Sequence, residues 1–120
     1  MSVCVAVTDS TEGKAALEAA ASEAVRLNAP LVAVNLTGSE LDTSAISPEL
    51  PYEVVVPSGP SNLDEVEQVL QVIRDRPEIT RLVVGVRKRS PVGKALLGSI
   101  PQRLILEATV PVLSVRSVDA

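Results

Sequence analysis

The stretch Arg81-Leu82-Val83-Val84-Gly85-Val86-Arg87-Lys88-Arg89-Ser90-Pro91-Val92-Gly93-Lys94-Ala95-Leu96-Leu97-Gly98-Ser99 decides how this chain is read. After Arg81 come five residues without a polar side chain, Leu82 to Val86. Their brevity and lack of alternation read as a strand buried on both faces. A basic loop runs from Arg87 to about Gly98. Ser99 then reads as the N-cap of a helix, with Pro101 in the first turn, where a missing N–H costs little. A helix that opens on Gly98-Ser99 presents free backbone N–H groups and the positive end of its dipole. With Arg87, Lys88, Arg89 and Lys94 in the loop, that arrangement suits a phosphate. The same residues are also compatible with turn glycines, a simple cap and solvated bases.

Working outward, the same kind of apolar run recurs. Val3–Thr8 reads as a first strand bounded by Asp9-Ser10. Asp9 stands three residues before Glu12, the spacing of a capping box, so Asp9 is expected to cap the first helix. That helix carries Leu17, Ala20, Ala24 and Leu27 on one face and stops at Asn28 and Pro30. Leu31–Leu36 is the second strand. Residues 37–51 are polar and rich in Gly, Ser, Thr, Asp and Pro, with Leu41, Ile46 and Leu50 as apolar anchors; they read as a loop with room for one helical turn.

Tyr52–Val56 is a third strand. Ser61 or Asn62 is expected to cap a second long helix with Asp64 and Glu65 in its first turn, an apolar face of Leu63, Val66, Leu70 and Ile73, and an end at Pro77. Leu104, Ile105 and Ala108 give the last helix a face to bury. Val110–Val115, with Pro111 near its start, is the fifth strand.

The order β-α-β-loop-β-α-β-α-β with continuous apolar strands predicts an α/β fold. Its core is an open, doubly wound, parallel five-stranded sheet, with the helix between strands 2 and 3 shortened or absent. Such sheets bind ligands at the carboxyl ends of the strands. A chain of 120 residues is read as one domain spanning 1–120.

Composition narrows the chemistry. There is no His, Phe or Trp, one Tyr (Tyr52) and one Cys (Cys4). Ser-His and Cys-His catalytic pairs and His-containing metal sites are excluded, and no metal ligands are assigned. Base stacking on aromatic platforms is nearly excluded as well. Residues 1–80 carry 13 acids and 4 bases, whereas 81–116 carry 7 bases and 1 acid. An acidic chain with one basic segment argues against nucleic acid and for a small local anion. Cys4 lies in the run Val3–Val7 and reads as a buried hydrophobe. No apolar run approaches a membrane span and no targeting segment is visible, so a cytoplasmic protein without membrane association is expected.

Several anion-binding motifs are absent. Gly93-Lys94 lacks the upstream glycine and the following Ser or Thr of a P-loop. The six glycines, at 13, 38, 59, 85, 93 and 98, contain no Gly-x-Gly-x-x-Gly. The third strand closes on Val56-Pro57, so Asp9 has no partner carboxylate for a receiver-type phosphoacceptor site.

Three segments, Val3-Cys4-Val5-Ala6-Val7-Thr8-Asp9-Ser10, Arg81–Gly85 and Pro111-Val112-Leu113-Ser114-Val115, resemble the universal stress protein family. The resemblance runs nearly the whole length. The nucleotide-binding branch of that family carries Gly, two residues, Gly, nine residues, then Gly-Ser or Gly-Thr. Here Gly85 takes the first place, Arg89 to Leu97 are the nine, and Gly98-Ser99 close the motif; Lys88 stands where the second glycine belongs.

The resemblance implies a stress-response protein that binds an adenine nucleotide, ATP with a magnesium ion. An enzyme hydrolysing that nucleotide is the weakest alternative, because the sequence offers no His, no paired carboxylates near the loop and no arranged nucleophile. The resemblance also implies that Asp9 meets the nucleotide, that the backbone at Leu36 meets the adenine, and that Gly85, Gly98 and Ser99 lie along the phosphates. Arg87, Lys88 and Arg89 are added on charge alone. Lys88 either contributes to the phosphate site or fills the space a glycine leaves open. In the second case the chain is a dimeric interaction module of the same fold without a nucleotide. The family often dimerises through its last strand, and Val112–Val115 is the corresponding edge.

Overall fold

A computed structural model describes residues 1–57, 64–87 and 99–116, with Ser99 described by its backbone alone. The elements are β1 (Ser2–Val7), α1 (Thr11–Leu27), β2 (Leu31–Asn35), β3 (Tyr52–Val55), α2 (Glu65–Asp75), β4 (Ile79–Val86), α3 (Ser99–Glu107) and β5 (Val112–Arg116). All five strands are parallel, in the spatial order β3-β2-β1-β4-β5. No helix joins β2 to β3. The doubly wound sheet expected from the apolar runs is therefore present.

The two faces follow from the winding. The chain steps from β1 to β2 to β3 in one direction, then returns past β1 to β4 and β5. Right-handed crossovers place the first connections on one face and the later ones on the other. Accordingly, α1 packs with Val3, Val5, Val7, Leu31, Ala33 and Val83 on one side. On the other side α2 and α3 bury Val66, Val69, Leu70, Ile73 and Leu104 against Cys4, Ala6, Val34, Leu82 and Val84. β1 and β2 are buried along their whole length, which explains why they carry apolar residues without alternation. Cys4 is fully buried, and burial pushes its thiol up to about 12.

The connection 36–51 does the work of a helix without being one. Ile46 and Leu50 are buried in the α1-side core, and Leu41 packs against it. Two tight turns position them, with Ile46 N–H donating to Thr43 O and Leu50 N–H to Ser47 O, both at 3.0 Å.

Several local expectations are corrected. Ser10, not Asp9, caps α1: its Oγ accepts from Gly13 N–H at 3.0 Å. Both residue types cap well, and the chain turns one residue later than the capping-box spacing suggests. The cap of α2 is Asp64, whose Oδ1 accepts from Glu67 N–H at 2.8 Å; Ser61, Asn62 and Leu63 lie outside the described residues. β4 begins at Ile79 rather than Leu82, because the pairing with β1 slips between Ser2↔Ile79 and Val3↔Arg81 and absorbs Thr80. Arg81 is tolerated in this strand because Glu23 of α1 meets its Nη1 at 2.6 Å. β2 and β3 each end one residue early, at Asn35 and Val55, and β5 starts at Val112, after Pro111. Ser99 is the first helical residue of α3 rather than the residue before it, a one-residue difference of the kind helix ends show. Asn28 stops α1 as expected, in the left-handed conformation at φ 55°, with Ala29 N–H reaching back to Ala24 O.

Candidate functional site

The winding reverses between β1 and β4, so the carboxyl ends of these two neighbouring strands form the crevice where an open α/β sheet receives a ligand. β1 delivers Thr8, Asp9 and Ser10 to that crevice, and β4 delivers Arg87. β2, on the far side of β1, delivers Leu36, whose N–H donates to Val7 O at 2.9 Å.

The β1–α1 corner is built to free Asp9. Thr8 Oγ1 and Ser10 Oγ share a hydrogen bond of 2.8 Å, Ser10 N–H donates to Thr8 O, and Ser10 caps the helix. The corner is also tightly closed: a Cβ on Gly13 would stand 2.8 Å from Thr8 N and from Thr8 Oγ1. With both flanking hydroxyls engaged, Asp9 projects outward. It is exposed and has no hydrogen bond or ion pair among the described residues.

Asp9 borders a cleft of about 470 Å³ between α1 and the 37–45 segment. Thr8, Ser10, Thr37, Ser39 and Ser44 supply hydroxyls to its wall; Asp9, Glu18, Glu40 and Asp42 supply carboxylates, against Lys14 alone as a cation among the described residues. Leu36 lies in a second cleft, of about 430 Å³, reaching to Val56, Pro57 and α2. Ser39 and Glu40 border both. The segment 37–40 is thus a wall between the two spaces, and Asp9 and Leu36 lie on opposite sides of it.

Asn35 builds that wall. It is nearly buried, 8% exposed at the end of β2. Its Oδ1 accepts from Thr37 N–H at 3.0 Å and from Thr37 Oγ1 at 2.6 Å, and its Nδ2 donates to Ser39 O at 2.8 Å. Gly38, between them, sits at φ 82°, where a side chain would be strained. In the sequence Asn35 belongs to no motif. The available signal was a polar residue closing an apolar strand just before Thr-Gly-Ser, the makings of an Asx turn.

Gly85 has a structural reason of its own. It lies inside β4 against the first turn of α1; a Cβ there would stand 2.5 Å from the Glu12 carbonyl carbon and closer still to its oxygen. Beyond it, Arg87 is exposed and its Nε meets Glu12 Oε2 at 3.3 Å. Ser99 opens α3 on the route from β4. Lys88, Arg89, Lys94 and Gly98 lie outside the described residues. Among the described residues no three His, Cys, Asp or Glu side chains are placed to share a metal ion. No helix among them is long and apolar enough to cross a membrane.

Comparison with known proteins agrees with this architecture. Residues 62–116 match the model of the universal stress protein family. A universal stress protein of Mycolicibacterium smegmatis is 34% identical over 119 residues, covering 87% of this chain and 88% of the relative. The chain belongs to the universal stress protein family. Among solved structures, the universal stress protein from Archaeoglobus fulgidus superposes with a TM-score of 0.70 at 25% identity, over 95% of this chain and 97% of the other. The structure of the Archaeoglobus fulgidus universal stress protein in complex with dAMP superposes with a TM-score of 0.64 at 21% identity, over 95% and 96%.

Proposed function

We propose that this chain binds an adenine nucleotide at the carboxyl ends of β1 and β4, as a cytoplasmic stress-response protein that holds the nucleotide without turning it over. The observation that carries the reading is Asp9: an exposed carboxylate at the topological switch point, relieved of helix capping by Ser10, on the wall of a cleft of about 470 Å³. That volume is in the range of small-molecule sites, roughly 300–1,000 Å³. The dAMP complex of a protein of the same fold supports the ligand class.

Charge orients the ligand. Among the described residues four carboxylates and one ammonium line the cleft, so it suits the uncharged ribose, with Asp9 accepting from a hydroxyl of the nucleoside. The phosphates belong on the β4 side, toward Arg87 and the bases that follow it in sequence. Magnesium would arrive with a triphosphate, held by phosphate oxygens and water. Gly85, Gly98, Ser99, Lys88 and Arg89 complete the proposed phosphate side, and Leu36 the adenine side.

A thermal-shift titration tests this. Saturating ATP or AMP, at about 100 times the dissociation constant, should add roughly 2.7 kcal/mol of stability. Asp9→Asn should weaken binding by about tenfold while leaving the fold intact, since Asp9 caps nothing and has no partner to lose among the described residues. Equal affinity in both proteins would remove Asp9 from the site.

One observation favours the second reading, a dimeric interaction module without a nucleotide: Asp9 and Leu36 face different clefts. Absence of any stabilisation by ATP, AMP or dAMP would select it.

Both readings include a homodimer through Val112–Val115. Among the described residues β5 is an outer strand that pairs with β4 alone and leaves Leu113 42% exposed. An open apolar edge of this kind is satisfied by a second copy. Sedimentation at micromolar concentration should give twice 12.6 kDa, and Val112→Lys should shift the protein to monomer. A wild type that sediments as monomer would overturn the dimer.

A further inference from the structure

We propose that Glu12 is a specificity-determining residue that acts through Arg87: it occupies the guanidinium in the free protein and yields it to the phosphate of a bound nucleotide, so that affinity is graded by phosphate charge. The inference rests on the nucleotide reading above and names a residue that neither the strand ends nor the glycine motif points to.

Three observations carry it. First, the contact is easily exchanged. Arg87 is 65% exposed and meets Glu12 through one Nε–Oε2 contact of 3.3 Å, longer than the usual charge-assisted bond. No other hydrogen bond of this guanidinium exists among the described residues, so most of its five N–H groups remain available. A phosphate can take two of them side by side and compete with a single stretched contact.

Second, Glu12 cannot follow. Its side chain is only 16% exposed, and its main chain is pressed against Gly85 with no room for even a methyl group. Arg87 is therefore the partner that moves. Third, the pair sits at the crevice itself. Arg87 directly follows β4, Glu12 lies in the first turn of α1, and the corner that holds Asp9 connects β1 to that turn. A phosphate that takes Arg87 leaves the Glu12 charge unpaired nearby, a cost that grows with the charge of the ligand.

The test compares wild type, Glu12→Gln, Arg87→Gln and the double variant by calorimetry against adenosine, AMP and ATP. Glu12→Gln should bind ATP about three- to tenfold more tightly, as expected for release of one exposed ion pair and one repulsive charge. The gain should be smaller for AMP and absent for adenosine. In the Arg87→Gln background the gain should shrink to the part that comes from repulsion alone. A second measurement needs no Glu12 variant: the Arg87 Nε–H resonance, assigned by its loss in Arg87→Gln, should move with ATP and stay still with adenosine.

An unchanged ATP affinity in Glu12→Gln, an equal change for adenosine and ATP, the same gain without Arg87, or a resonance that saturating ATP leaves in place would each overturn the proposal. Wild type binding ATP with no effect of Glu12→Gln defeats this inference alone. Failure of wild type and variant to bind any of the three ligands defeats the nucleotide reading and this inference with it.

Discussion

Gly85→Ala should destabilise the protein by about 2–3 kcal/mol, a fall in melting temperature of roughly 10 °C, measured by urea and thermal unfolding. Strand propensity predicts the opposite, since alanine restricts the unfolded chain more than glycine does. The decisive fact is the main chain of Glu12, which stands where the new methyl group would go. Backbone on both sides of a contact cannot rotate away, so α1 must lift from the sheet at its first turn.

Gly13→Ala is the companion case. Helix propensity favours alanine by about 1 kcal/mol, yet the Cβ would press on Thr8 across the β1–α1 corner. A net loss of about 1–2 kcal/mol is expected. Variants within about 0.5 kcal/mol of wild type, the scale of an ordinary surface substitution, would show that α1 does not approach the sheet this closely.

The second large effect concerns the connection that replaces a helix. Ile46→Ala and Leu50→Ala should each cost about 2–4 kcal/mol, the range of buried aliphatic truncations. Both side chains are buried against the α1-side core, at 7% and 8% exposure. Leu41→Ala, at a half-buried position on the margin of that core, should cost about 1 kcal/mol. If all three variants unfold like wild type, segment 36–51 is a surface strap and the sheet face beneath β2 and β3 is covered by something else. A large effect at 46 and 50 establishes that two anchored residues do for this face what a helix would otherwise do.

These positions also mark where the chain's local pattern stops being sufficient. The apolar runs, the helix face of α2, the Asn28 stop and the resemblance at Val3–Ser10 and Arg81–Gly85 were legible because each is a property of consecutive or helically spaced residues. Burial on both faces demands an unbroken apolar run whatever the neighbours are, so the sheet and its parallel winding could be read in advance. Asp9, Leu36 and Arg87 could be placed at strand ends for the same reason.

Other features depend on residues distant in sequence. Whether Ser10 or Asp9 caps α1 depends on where the chain turns, and both types cap well. Arg81 concealed the start of β4 because its acceptor, Glu23, lies on a helix 58 residues earlier. Gly85 was readable as a motif glycine, but its requirement comes from Glu12, and the Arg87–Glu12 pair spans 75 residues. The family resemblance implies one ligand for Asp9 and Leu36, whereas a wall held by Asn35 stands between the clefts that they border. Local pattern determined which segments are strands and helices and in what order they wind, because burial and capping act on neighbours in the chain. The tertiary structure decided which side chains meet across that sheet, because close approach, ion pairing and the walls of a cleft are set by the packing of α1, β4 and the 36–51 connection against one another.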